Sequence, residues 1–519
     1  MPSGAGSTAR PSPIVAPVPE PTASRAAVAR GVGYLVALAG IAVLATALHR
    51  HGHAQGDDFA LYLRQARSIF DGDIGGVIDD NRFGVLNSDT AFSPNGYPWV
   101  WPLVLSPFVH FWGLDYDRLK LVTVAMFCTW LVLVFGIVRR RLGRWPALGV
   151  TACIATAPRF LTHTDQLLSE YAYFVAIAVV IWWCDRVHRS SDLVRAPRTQ
   201  LVALGVLMAV AFNVRREAIV LVVVVAALQL IALARTVGER RTLRGSVRRV
   251  RESWQVLLVP YASFVASVVV MQLLLPTALF PDNGNSRTYI DDRWVEFPAT
   301  LTRHLGLGDH PLLGIAILVI GTIGVVIGIR QRPLLDTPLF VLALFTALTI
   351  GTHFRQVDRY WLQVTPWVAY FATVALVGLA RAVRGRARWV SLVAAAPIVA
   401  VVVAHLVVLP GRVNDARDFD EAGRTQVGPA SPTAQPIFEA VLEYTPADSV
   451  VAYFRSRTMT LLTDRRSFQT KELDTILQSA DFYAYRRNQT YAQPTLGRNP
   501  DGLVEVWSDD RWILWEVTG

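Results

Sequence analysis

Charge is scarce in this sequence. Asp, Glu, Lys and Arg make up 17% of its 519 residues, where a soluble chain carries about 25%. The deficit falls in long apolar runs, which excludes an ordinary soluble domain. Cysteine is nearly absent: Cys128, Cys153 and Cys184 all sit inside apolar runs. No disulfide framework or cysteine metal site is therefore available to the polar segments. The chain also lacks a glycine-rich phosphate loop and a nucleophile elbow, and it has no repeat of solenoid period.

What is present is a series of apolar stretches of the length a membrane demands, about 20 residues each. The candidates are 32–49, 118–138, 146–161, 167–187, 200–214, 217–235, 255–279, 311–329, 336–352, 360–380 and 389–410. The formal net charge of +10 is carried in short clusters between them, at 139–144, 184–198, 235–253, 330–332 and 381–388. With the N-terminus inside, every one of these clusters lies in the cytoplasm, as the positive-inside rule requires. The basic balance is thus topological, and nucleic acid is not expected as a partner. Residues 1–31 read as a disordered cytoplasmic tail, followed by a retained first span and not a cleaved signal peptide.

Eleven spans place the C-terminus outside. The expected architecture is a polytopic α-helical membrane domain over 32–410, with a first extracytoplasmic loop at 50–117, and a small extracytoplasmic α/β domain over 411–519. The segment 97–113 is apolar but carries Pro98, Pro102 and Pro107. Counting it as a span would invert every later loop, so it is assigned to an interfacial or re-entrant helix with tryptophan anchors. The tail reads as mixed: a strand at 450–454 and a terminal hairpin in LVEVW–SDD–RWILWEV.

The outer face gathers unusual charges. Asp57 and Asp58 follow the first span directly, and Phe59, Tyr62, Leu63, Ala66, Ile69 and Phe70 then recur at helical spacing. That pattern predicts an amphipathic helix on the membrane, where an acid meets a lipid-linked substrate at its headgroup; the plainer reading makes the aspartates helix caps. Glu170 lies at membrane depth with Asp165 just before it, and such an acid is either functional or paired with an arginine. Arg215 and Arg216, followed by Glu217, and then Arg355, Asp358, Arg359 and Tyr360, all fall outside, against the positive-inside trend. Arginine forks match phosphate oxygens, which supplies a reason for them; an ion pair with Glu217 or Glu170 is the competing one. Arg287, Tyr289, Asp291, Asp292 and Arg293 form a further charged set in the loop 280–310. His51 and His53 match no metal-ligand spacing.

In their order along the chain these segments resemble the GT-C superfamily of membrane glycosyltransferases, which includes protein O-mannosyltransferases and lipid A aminoarabinose transferases. The matching features are GDDFALYLRQA after the first span, NGYPWVWPLVLSPF, RRRLGRWP, LLSEYAYF, GVLMAVAFNVRREAI, DRYWLQVTPW, and the tail segment PADSVVAYFRSRTMTLLTDRRSF. The resemblance covers most of 32–519. It implies an inverting glycosyltransferase of the bacterial plasma membrane, taking a sugar from a polyprenyl-phosphate donor to a glycan, lipid or protein acceptor of the cell envelope. Asp58, or its neighbour Asp57, would be the general base, with Glu170 orienting base or acceptor. Arg215, Arg216, Arg355, Arg359 and Tyr360 would hold the donor phosphate. Tyr97, Asp165, Arg287 and Arg293 would contact substrate. No cofactor or metal is called for. A transporter or flippase for a lipid-linked glycan is the alternative; clustering of charge at one face, without repeated halves, favours the enzyme.

Overall fold

A computed structural model describes residues 25–54, 56–89, 96–190, 193–238, 243–277, 291–351, 358–383, 390–488, 492–497 and 500–518. The apolar runs coincide with helices. Among the described residues, seven helices are long and apolar enough to cross a membrane: Tyr116–Leu142, Arg216–Arg235, Trp254–Leu274, Pro311–Gln331, Pro333–Gly351, Thr365–Ala382 and Ala395–Glu421. Gly31–Thr46 and Arg198–Phe212 are apolar but shorter. The run 146–161 is broken into Arg144–Thr156 and Pro158–His163. Pro158 disfavours the helical conformation in the residue before it, and Ala157 is extended. Among the described residues, helix length and composition thus mark seven of the eleven expected crossings.

Local chemistry sets the helix ends. Tyr116–Leu142 starts where Asp115 Oδ1 accepts the Arg118 N–H at 3.0 Å and stops at Gly143, whose φ is +89°. Its 27 residues span about 40 Å, ample for a hydrocarbon core of about 30 Å. Helices approach closely where small residues allow it: a Cβ on Gly324 would collide with the Phe371 carbonyl. At the basic end of Tyr116–Leu142, Arg141 forks onto Asp185 at 2.6 and 2.9 Å, and its Nε lies 3.5 Å from Asp336. Asp336 also accepts Tyr370 Oη at 2.6 Å and Arg332 Nε at 2.9 Å. This buried cluster ties four helices, and the Arg332 link that leads into one of them, together at one end.

At the other end the segment after the first apolar helix folds into helices Asp58–Asp71, Ile74–Asn87 and Val100–Trp112. The last has 13 residues, about 20 Å, too short to cross alone. Helix Asp58–Asp71 departs from the expected surface helix. Phe59, Tyr62, Leu63 and Ala66 are buried in protein, between Val100–Trp112 and the C-terminal helix Ser456–Thr463. Its amphipathic pattern thus packs mainly on protein, while Phe70 at its far end is exposed.

The last apolar helix, Val390–Glu421, runs unbroken past residue 410 and delivers the chain to a mixed sheet. Its strands are β1 (Val450–Tyr453), β2 (Arg466–Phe468), β3 (Phe482–Arg486), β4 (Leu503–Ser508) and β5 (Trp512–Val517), in the order β2-β1-β3-β5-β4. β1 pairs in parallel with β2 and β3, while β3–β5 and β4–β5 are antiparallel. The sheet's β2 edge docks on Ile74–Asn87. There a Cβ on Gly84 would lie 2.9 Å from the Ser467 carbonyl, so glycine permits the approach. Arg466 Nε reaches Asp80 at 2.8 Å, and the Gln469 N–H donates to Ser88 Oγ at 2.9 Å.

Candidate active site

The start of helix Asp58–Asp71 sends two neighbouring carboxylates in different directions. Asp57 occupies the N-cap position but makes no capping bond, so the plain capping explanation fails. Its carboxylate is buried against the C-terminal domain, where Oδ1 accepts Thr458 Oγ1 at 3.3 Å. Burial pushes the Asp57 carboxyl above its usual range, although Arg455 and Arg457 oppose the rise. Asp58 turns towards the membrane helices. Its Oδ1 accepts Tyr97 Oη at 2.7 Å, and its Oδ2 accepts Arg359 Nη2 at 2.6 Å. Burial alone would raise Asp58, but the Arg359 charge and the bonds from Tyr97 and Arg359 win and hold it below the ordinary carboxylate range.

Arg359 sits on the 3-10 turn Asp358–Gln363. The turn is fixed by Asp358, whose Oδ2 lies 3.0 Å from Arg159 Nη2 and whose Oδ1 lies 3.2 Å from His304 Nε2. From there the Arg359 Nε reaches Glu170 Oε1 at 3.4 Å. Glu170 is the first residue of helix Glu170–Ser190 and is 1% exposed. Arg215, extended just before the 3-10 turn Arg216–Ile219, meets Glu170 Oε1 at 3.0 Å and Glu217 Oε1 at 2.9 Å. His163 Nε2 stands 3.8 Å from Glu170 Oε2. The Tyr360 ring lies under both guanidiniums, at 5.4 Å from Arg215 and 5.5 Å from Arg359. The result is an alternating row: Asp58, Arg359, Glu170, Arg215, Glu217.

The structure therefore brings together Asp58, Tyr97, Glu170, Arg215, Arg359 and Tyr360. Arg216 turns back on the end of the preceding helix, donating to the Phe212 carbonyl at 3.2 Å and Asn213 Oδ1 at 3.1 Å. Asp165 belongs to a different cluster: it pairs with the fully buried Lys120 at 2.8 Å and accepts Gln426 Nε2 at 3.1 Å. Burial raises its pKa to about 6, against the pull of Lys120. Arg287 and Arg355 lie outside the described residues, and Arg293 falls in helix Asp291–His304 with its side chain likewise outside them. His51 engages Asp117 at 2.6 Å, and His53 Nε2 accepts the Leu167 N–H at 3.1 Å. Burial lowers His53 to about 4, so it is neutral at physiological pH.

Some members of the site were not singled out from sequence. Arg457, in helix Ser456–Thr463, donates from Nη1 to Tyr97 Oη at 3.0 Å and from Nε to Asn81 Oδ1 at 3.0 Å. Tyr62 Oη and Ser169 Oγ meet at 3.0 Å, and Ser169 lies 3.5 Å from Arg215 Nη1. The signals for Tyr62, Ser169 and Arg457 were their places inside the quoted segments, though Arg457 is one arginine among several in its own.

No protein-family model matches the sequence, and no curated protein does. Solved structures do resemble it. Two of ArnT from Cupriavidus metallidurans, in the apo state and bound to undecaprenyl phosphate, align with TM-scores of 0.57 and 0.56 at 15% and 14% identity, each over 94% of this chain and 98% of that one. The archaeal oligosaccharyltransferase AglB from Archaeoglobus fulgidus, in complex with an inhibitory peptide and a dolichol-phosphate, aligns with a TM-score of 0.52 at 12% identity, over 88% of this chain and 70% of that one. ArnT, a lipid A aminoarabinose transferase, and AglB are both members of the GT-C superfamily.

Proposed function

We propose that this chain, a multi-pass membrane protein with the GT-C fold, is an inverting glycosyltransferase. It moves a sugar from a polyprenyl-phosphate donor to an acceptor of the cell envelope on the extracytoplasmic face of a bacterial plasma membrane. On this reading the chain makes eleven crossings with its N-terminus inside, so that the first loop and the C-terminal domain share that face, in keeping with the basic clusters between the spans. The observation that carries the reading is the juxtaposition of Asp58 with Arg359, Glu170 and Arg215. A carboxylate to take a proton and two guanidiniums to receive a phosphate stand side by side at the ends of membrane helices. Undecaprenyl phosphate and dolichol-phosphate are the lipids bound in two of the similar structures.

In the proposed step Asp58 takes the proton of an acceptor hydroxyl. The acceptor oxygen bonds to the anomeric carbon as the bond from that carbon to the phosphate oxygen breaks, with inversion, and polyprenyl phosphate leaves with the electron pair. General-base assistance contributes about 10²–10⁴-fold, and preorganised donors on the departing oxyanion contribute about 10²–10³-fold each. Both arginines are already paired, so the phosphate competes with a carboxylate for them. The Asp58 side chain is 28% exposed and Glu170's is 1% exposed; Asp58 is the displaceable partner. When the donor draws Arg359 away, Asp58 loses its closest positive charge and becomes a stronger base at the moment one is needed.

The test uses purified protein in nanodiscs, a panel of synthetic polyprenyl-phosphate sugars, and envelope extract as acceptor. The reading expects acceptor-dependent release of polyprenyl phosphate from at least one donor. Movement of intact donor across the bilayer without cleavage would instead identify a flippase.

A further inference from the structure

The geometry points to Arg457, carried by the C-terminal domain, as the positioning residue that fixes Tyr97 on Asp58 and so sets the aim and charge of that carboxylate. This rests on the reading of Asp58 above for its functional meaning, though not for its test. Arg457 is 6% exposed. Its Nη1 donates to Tyr97 Oη at 3.0 Å, and Tyr97 Oη stands 2.7 Å from Asp58 Oδ1. A guanidinium has only donors to give, and a phenol has one proton. With Arg457 filling an acceptor position on the oxygen, the single proton of Tyr97 is left to point at Asp58.

Both ends of this relay are held. Arg457 Nε is anchored on Asn81 at 3.0 Å, and its guanidinium carbon lies 5.0 Å from the centre of the Tyr97 ring. The ring packs on Tyr62 at 4.7 Å between centroids, and the Tyr97 carbonyl accepts Gln65 Nε2 at 2.9 Å. Asp58 therefore reports whether the C-terminal domain is seated: the same short helix places Thr458 on the Gly56 carbonyl at 3.2 Å. Among the described residues, the charged and titratable groups facing Asp58 are Arg359 from the 3-10 turn, Tyr97 from the proline-bearing segment, Arg457 from the C-terminal domain, and Asp57 and Tyr62 from its own helix. Glu170 lies beyond Arg359. Arg457 is the one cation among these that arrives with the C-terminal domain and reaches Asp58 through a fixed donor. Its removal lets the Tyr97 proton turn away and takes a positive charge from the vicinity, so the Asp58 carboxyl protonates more readily.

Carbodiimide labelling of Asp58 as a function of pH, read by mass spectrometry on the full-length protein in nanodiscs, tests this without any substrate, because only the protonated carboxyl reacts. Arg457→Gln and Tyr97→Phe should each move the labelling midpoint upward by about one pH unit, a tenfold change in proton concentration. Arg466→Ala, which cuts another contact of the same domain to Asp80, should leave the midpoint in place. Arg457→Lys keeps the charge and provides a second, milder variant, with a midpoint between wild type and Arg457→Gln. An unmoved midpoint in Arg457→Gln overturns the proposal, as does an equal shift in Arg466→Ala, which would make the effect one of general domain loosening. If the midpoints move as expected while Asp58→Asn retains glycosyl transfer, Arg457 keeps its positioning role and only the identity of the base is lost.

Discussion

Arg359 Nη2 lies 2.6 Å from Asp58 Oδ2, with both side chains partly exposed, at 21% and 28%. The pair holds the carboxylate towards its ionised form and, on the proposed function, at the same time occupies an arginine that the lipid phosphate needs. Lipid binding and the Asp58 proton are therefore linked. Undecaprenyl phosphate should raise the pH at which Asp58 is labelled by a carbodiimide, since it draws Arg359 off and adds negative charge nearby. A midpoint that ignores saturating lipid would remove Arg359 as the phosphate's partner.

The arginines should matter for the lipid headgroup. A hydrogen bond to a charged group contributes about 1.5–3 kcal/mol, so Arg215→Ala or Arg359→Ala should weaken undecaprenyl phosphate binding roughly 10- to 100-fold, measured by native mass spectrometry. Each variant also leaves Glu170 short of a buried partner, at a cost of up to about 3–5 kcal/mol. Adding Glu170→Gln should recover the melting temperature and not the affinity, which separates binding from folding.

Asp57 gives a stability prediction of known sign. Its carboxyl is pushed up by burial, so the folded state holds the proton more tightly than the unfolded chain does. Ionising it costs nothing well below the unfolded value of about 3.9 and costs most above the folded one. Asp57→Asn should accordingly raise the melting temperature at neutral pH, with the gain shrinking as pH falls through the raised value towards 4. A gain that grows on acidification would show that Arg455 and Arg457 outweigh burial.

At the opposite end of the helices the Arg141 cluster should be purely structural. Arg141→Ala takes from the buried Asp185 and Asp336 the cation they share, a loss of about 3–5 kcal/mol. The folded fraction should bind undecaprenyl phosphate as wild type does; altered affinity there would mean the two ends communicate.

The membrane helices and the outer charges were legible because both stand out in one dimension. Glu170, Arg215 and Arg359 are conspicuous against apolar neighbours, and the structure joins them within 3.0–3.4 Å. Asp165 was conspicuous for the same reason, yet its partner is Lys120, a lysine in the first turns of a membrane helix. An acid beside a span signals a buried charge, and whether that charge serves a lysine staple or a substrate is decided by which helices meet. The choice between Asp57 and Asp58 was likewise out of reach, because it depends on the seating of a domain some 400 residues away in sequence. Arg457 lies inside the quoted tail segment, but nothing in RSRTMTLLTDRR marks it out from Arg455, Arg465 or Arg466 until the helix docks.

The central claim, that Asp58 is the base of a glycosyl transfer, is tested most directly by comparing Asp58→Asn with Asp57→Asn. The assay is acceptor-dependent release of polyprenyl phosphate by purified protein in nanodiscs. Asp58→Asn should lower turnover by about 10²–10⁴-fold while still binding undecaprenyl phosphate, and Asp57→Asn should stay within about tenfold of wild type, since its carboxylate faces Thr458. Full turnover in a folded Asp58→Asn variant would contradict the account.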